Sequence, residues 1–195
     1  MNLDSYLSSH GYGDYEGNCS QLRDQINDLA QLAASPSVKN IMEIGFNAGH
    51  STNVFLSVNS EAKVTSFDIG QHDYVHAAKK YIDATFPNRH TLILGDSTVT
   101  VPQFQNDVKF DLIFIDGGHD YEIAMADLKN CKALAHEDTV VVLDDTIFVA
   151  GWEAPWTVGP TRAWLEMLQE GQVEEHSRRH YCHGRGQVVG AYKMA

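Results

Sequence analysis

Residues 41–52, IMEIGFNAGHST, constrain the fold more than any other stretch. An apolar run (Ile41, Met42, Ile44) carries Glu43 near its end. Gly45 and Gly49 follow four residues apart, and His50, Ser51 and Thr52 open a helical segment, Asn53-Val54-Phe55-Leu56. A buried strand passing through a glycine turn into a helix start suits an anionic or nucleoside ligand. Glycine admits close backbone approach, and the helix start presents unpaired N–H groups. The spacing, E-x-G-x-x-x-G, is neither the G-x-G-x-x-G of dinucleotide enzymes nor the G-x-x-x-x-G-K-[ST] of phosphate-binding loops. An ordinary turn in an α/β fold gives the same signal, so the rest of the chain decides.

From residue 39 onward, short apolar runs alternate with helical periodicity, which predicts a mostly parallel sheet covered by helices on both faces. Strands are expected at 39–45, 62–68, 90–94, 110–116 and 139–144. Helices are expected at 50–59, 72–86 and 120–135, and from near Pro160 to Gly171. The last two strands, 173–178 and 187–192, read as an antiparallel pair around a turn at 184–186. Upstream, residues 20–34 place Leu22, Ile26, Leu29 and Ala33 on one helical face, with Asn18 and Gln21 resembling a capping pair and Pro36 as the stop. Residues 1–17 mix Gly11, Gly13 and Gly17 with Tyr6, Tyr12 and Tyr15, and read as a lid-like arm or a disordered tail. No repeat or linker interrupts the chain. It is therefore expected to be one α/β domain, with 1–35 as arm and helix and 36–195 as a Rossmann-like core.

The formal net charge of −12 argues against nucleic acid or an anionic membrane as the main partner. Arg178, Arg179 and nearby Arg185 leave room for a local basic patch. No apolar run is long enough to span a bilayer, and Met1 opens no signal-peptide pattern. Cys19, Cys131 and Cys182 are odd in number and lack zinc spacing, which fits a reducing, cytoplasmic setting. Of the ten histidines, His119 stands in the most suggestive context; His50 reads as an ordinary helix-start residue.

Acidic residues mark the strand ends. Asp68 closes the second strand, where a carboxylate accepts from both ribose hydroxyls of a nucleoside. The fourth strand ends in IDGGHDYE (115–122) and the fifth in LDDT (143–146). Asp116, Asp144 and Asp145 therefore reach the sheet edge at which open α/β folds bind ligands. Clustered carboxylates repel unless compensated, and a divalent cation does so. Oxygen ligands suit magnesium, with manganese or calcium as alternatives. The competing reading is that these aspartates only cap turns and helices. His119, three residues after Asp116, is placed to take a proton from a substrate hydroxyl. It reads otherwise as a fourth metal ligand or as a helix-start residue without a role.

These motifs resemble the class I S-adenosylmethionine (SAM) methyltransferases. IDGGHDYE followed by LDDT is most similar to the metal-dependent O-methyltransferases of the macrocin and mycinamicin sugar type, over about residues 38–147. The resemblance implies a Rossmann-like class I methyltransferase fold, a seven-stranded sheet with an antiparallel C-terminal strand. It implies SAM contacts at Glu43, Gly45, Asn47, Gly49, Ser51, Thr52, Asp68, Asp96, Ser97 and Asp116. Asp96 would face the adenine amino group, although it also suits a helix cap. Magnesium would sit on Asp116, Asp144 and Asp145, with His119 as base. The catechol-type enzymes carry a lysine near the base position and Asp-Asn as the acidic pair, and this chain departs from them at both points. A hydroxyl on a sugar, polyol or other small molecule is the implied acceptor. Trp152 and Trp156 would wall the acceptor site or pack on the last helix.

Three other functions fit parts of the pattern. A SAM-binding module without catalysis has no need of D-x-x-H and Asp-Asp. A nicotinamide-dependent oxidoreductase needs a glycine turn that Gly45-Phe46-Asn47 lacks. A metal-independent N- or C-methyltransferase keeps fold and cofactor and is separated by chelator sensitivity. Neither the acceptor nor a homo-oligomeric state is legible in the sequence.

Overall fold

The computed structural model describes every residue except 106, 150, 152, 153 and 195. Seven strands form one sheet: β1 (Asn40–Ile44), β2 (Lys63–Asp68), β3 (His90–Leu94), β4 (Phe110–Ile115), β5 (Ala135–Asp144), β6 (Val173–His180) and β7 (Gly186–Tyr192). Their order is β3-β2-β1-β4-β5-β7-β6, and β7 runs opposite to the direction that the other six share. This is the expected Rossmann-like class I methyltransferase architecture.

Strand alternation sends side chains into two cores. Ile41, Leu112, Phe114 and Val142 face one side, which α2 (Arg23–Ala33), α3 (His50–Val58) and α4 (Asp73–Thr85) cover with Leu29, Phe55, Val75 and Ile82. Met42, Ile113, Val141 and Val188 face the other. There, α5 (Ser97–Gln103), α6 (Tyr121–Lys132) and α7 (Pro155–Gln169) contribute Val101, Leu128 and Trp164.

Five expectations need correction. Residues 1–17 are not a disordered tail. Helix α1 (Leu3–Ser9) buries Leu3 and Leu7 against the α3–α4 side, and Asp4 joins His50 at 2.9 Å. His50 is thus a buried fastening for the arm rather than an ordinary helix-start residue. The 20–34 helix is split: a 3₁₀ turn at Cys19–Gln21, capped by Asn18, precedes α2, and Gln21 does not complete a capping box but faces Arg185. Strand β5 begins at Ala135, before a register shift against β4 that the polar run His136-Glu137-Asp138 disguised as a turn. Helix α7 begins at Pro155. Proline is suited to the first turn, where no N–H is needed, and Pro160 is carried inside the helix instead of opening it. Trp156 therefore belongs to α7 and is 42% exposed, whereas Trp152 lies outside the described residues.

Asp127 on α6 is fully buried. Burial pushes its carboxyl up to about 6, against a smaller opposing pull from the Ser97 hydroxyl. An acid whose pKa is raised by folding favours the protonated form. Stability should therefore fall as pH climbs from the unfolded value of about 4 through about 6, and then level off. Asp127→Asn should erase that fall, on the order of 2–3 kcal/mol, in urea denaturation curves compared at about pH 4 and about pH 8.

Candidate functional site

Register builds the site. Ile44 lies beside Ile115 in the β1–β4 pairing, and Ile115 lies beside Leu143 in β4–β5, so the next residues, Gly45, Asp116 and Asp144, emerge together at one edge. Gly45 has φ +90°, and a Cβ there would lie 1.9 Å from the Asp116 carbonyl oxygen. Only glycine lets the β1 turn rest on the β4 end. Asn47 follows in the left-handed region (φ 49°), its N–H donating to Asp68 at 2.8 Å, and the other Asp68 oxygen accepts from Gly70 N–H at 2.7 Å. The half-buried Asp68 carboxylate is thereby fixed at the edge of the glycine turn. Gly49, at φ 79°, caps α3.

The side chains of Glu43, Ser51 and Thr52, expected at the ligand, bond to one another inside the fold. Glu43 is fully buried and accepts from the hydroxyls of Ser51 (2.5 Å), Thr52 (2.6 Å) and Ser66 (2.5 Å). Burial raises its carboxyl, and the three hydroxyls oppose that shift. A buried carboxylate must find donors, so these hydroxyls turn inward and pin the glycine turn to β2 and α3. Asp96 is exposed at the N-cap of α5, accepting from the Thr98 N–H (2.9 Å) and hydroxyl (2.7 Å), which is the capping role; Ser97 opens that helix.

The acidic cluster comes together with more partners than the sequence suggested. One oxygen each of Asp116 and Asp145 and one ring nitrogen of His119 lie within 4.8 Å of one another. His119 Nε2 meets Asp145 Oδ2 at 2.9 Å. That bond lifts the imidazole above its usual range, and partial burial opposes the lift. Asp145 has φ 52°, a left-handed turn that directs its carboxylate away from the β5 line. Asp144 turns inward instead. It is fully buried and accepts from Gln25 Nε2 on α2 at 2.6 Å. The group that assembles is thus Asp116, His119 and Asp145, with Asp144 behind it. Burial raises the Asp116 and Asp144 carboxyls first, and neighbouring aspartates add to the shift.

Arg185 and Gln25 also stand at the cluster. Arg185 does not join a surface patch with Arg178 and Arg179. Its side chain is only 12% exposed, 3.9 Å from both Asp144 and Asp145, while Arg178 pairs with Glu175 and Arg179 faces Asp28. The signal lay in strand pairing: β7 runs antiparallel to β5 with Gln187 opposite Asp144, which sets residue 185 beside the acidic pair. Gly159 on α7 packs so closely that a Cβ would lie 2.1 Å from the His119 carbonyl oxygen, and α7 thus buttresses the histidine loop. A separate cavity of about 540 Å³, between α2 and the starts of β4 and β5, is lined by Asp28, Asp111 and His136 and includes none of Asp116, His119, Asp144, Asp145 and Arg185.

A family model described as a methyltransferase domain matches residues 42–146, a span that contains the glycine turn, Asp68, His119 and all three edge aspartates. The chain belongs to this methyltransferase family. No curated protein sequence matches it. The fold of this methyltransferase is similar to that of a Bacillus cereus O-methyltransferase solved in complex with SAH. The TM-score is 0.76 at 20% identity, covering 98% of this chain and 90% of that one. It is equally similar to the O-methyltransferase TomG of Streptomyces achromogenes, involved in tomaymycin synthesis and solved with SAM (TM-score 0.76, 17% identity, 98% and 88% covered). Among the described residues no helix is long and apolar enough to cross a membrane.

The Asp145 contact is what lifts His119. In Asp145→Asn the imidazole pKa should drop toward the ordinary value of about 6.5, followed by the His119 ring protons in an NMR pH titration.

Proposed function

We propose that the chain is a single-domain SAM-dependent methyltransferase that methylates a hydroxyl oxygen of a small molecule, with a divalent cation at the acidic cluster. One observation carries this reading. The carboxylate-bound imidazole of His119 stands beside Asp116, at the same edge as the Gly45 turn and Asp68. Family membership supports the reaction class, and the SAH- and SAM-bound relatives support the cofactor and the oxygen acceptor.

SAM carries an electrophilic methyl group on its sulfonium, so the protein has to position an acceptor and remove its proton. Gly45 leaves room at the turn, and Asp68, held by its backbone donors, offers its remaining lone pairs to ribose hydroxyls. Asp96, Ser97, Asn47 and Gly49 border the same edge, Asp96 with acceptors for an adenine amino group. His119 takes the acceptor proton, and Asp145 stabilises the imidazolium that results. Held geometry and local charge supply the remaining rate enhancement.

The donor set fits a divalent cation. Asp145 Oδ1 and Asp144 Oδ1 are buried without hydrogen-bond partners, and Asp116 adds a third carboxylate. Such a cation, magnesium or with imidazole nearby manganese, would supply Lewis acidity to lower a hydroxyl pKa. A metal-free transferase is the second reading, because Arg185 already offsets part of the acidic charge. The free cysteines are consistent with a cytoplasmic enzyme.

Calorimetric titration should give SAM binding, and a separate magnesium signal absent in Asp116→Ala. SAM binding with no response to magnesium or chelator would select the metal-free reading, and no SAM binding would refute both. With an acceptor in hand, His119→Ala should lower kcat about 10²- to 10⁴-fold while SAM affinity is retained.

A further inference from the structure

We propose that Arg185 is a built-in counter-charge of the acidic cluster and sets its affinity for a divalent cation. This rests on the reading of the cluster as a cation site. Asp116, Asp144 and Asp145 bring three negative charges to one strand edge, and fully buried Glu43 lies close enough to act on Asp116. His119 holds Asp145 by one oxygen, and Gln25 holds Asp144 by one. Arg185 is the permanent cation among them, since a guanidinium does not lose its proton in a protein.

Its placement is built rather than incidental. The β5–β7 pairing continues past Asp144 and Gln187 to a bond from Thr146 N–H to the Gly186 carbonyl at 3.0 Å, which holds residue 185 alongside residue 145. Nη1 donates to the Asn18 carbonyl at 3.1 Å and approaches Gln21 Oε1 at 3.4 Å, so the N-terminal arm fixes the far side of the guanidinium. Nη2 and Nε then stand 3.9 Å from Asp144 Oδ2 and Asp145 Oδ1. That is beyond the ~3.2 Å reach of a hydrogen bond, so Arg185 offsets charge without consuming the lone pairs of the cluster. With the three carboxylates ionised and the His119 imidazole neutral, one arginine leaves two negative charges, the charge that one divalent cation neutralises.

Coulomb repulsion gives the sign. A fixed positive charge beside a dication weakens its binding, so removing the charge should strengthen it. A purely architectural arginine predicts the reverse, because its loss would loosen Asp144, Asp145 and the arm.

The test is titration of Mn2+ into the full chain without SAM at about pH 8, comparing wild type, Arg185→Met and Arg185→Lys. Arg185→Gln provides the same charge change with a hydrogen-bonding amide should the methionine variant unfold. We expect the neutral variants to bind Mn2+ on the order of tenfold tighter, and Arg185→Lys to stay near wild type. Tighter binding in a neutral variant where wild type binds none would equally support the counter-charge. Unchanged or weaker binding in the folded neutral variants, with wild type binding normally, would overturn the inference and leave the cation site standing. No Mn2+ binding by any of the proteins would overturn both.

Discussion

The site depends on a repulsion that the sheet imposes. Parallel pairing of β1 with β4 and of β4 with β5 ends these strands at one level, so the residues that follow, Asp116 and Asp144-Asp145, crowd at one edge. At close range, like charges in a partly desolvated place cost several kcal/mol unless compensated. The surroundings are arranged for that compensation: Gln25 from α2, His119 from the loop after β4, and Arg185 from the start of β7. Elements far apart in sequence thus converge because the strand edge demands donors and positive charge.

The turn after β1 is held by a second buried acid. Glu43 gathers three hydroxyls from α3 and β2, which locks the start of α3 against the sheet and frees the backbone of the Gly45 turn from any structural side chain. Stability and function share these residues. The buried network keeps the turn rigid, and a ligand at the proposed edge between Gly45, Asp68 and Asp116 would gain from that rigidity.

Much of this was legible in the sequence, because local pattern and chemistry agreed. Apolar runs located β1 to β5 and β7, the turn at 184–186 located polar β6 beside β7, and D-x-x-H with LDD located the cluster, since a strand that ends in carboxylates projects them at a predictable edge. What stayed hidden depended on tertiary pairing. Arg185 read as part of a surface patch because no local pattern links a turn residue near the C-terminus to β5. The folded arm was obscured by its glycines and tyrosines, although Leu3 and Leu7 are four residues apart and lie on one helical face. The inward network of Glu43, Ser51 and Thr52 is not legible because a motif records which residues cluster and not which way their side chains turn. Pro160 misled because proline usually opens a helix, while here Pro155 had already done so.

The most direct measurement is a crystal structure grown with S-adenosylhomocysteine and Mn2+, using manganese anomalous scattering. The account predicts one manganese peak on the carboxylates of Asp116, Asp144 and Asp145, beside His119, with the ribose of the nucleoside on Asp68. A nucleoside bound elsewhere, or one bound at Asp68 with no manganese at the cluster, would contradict it.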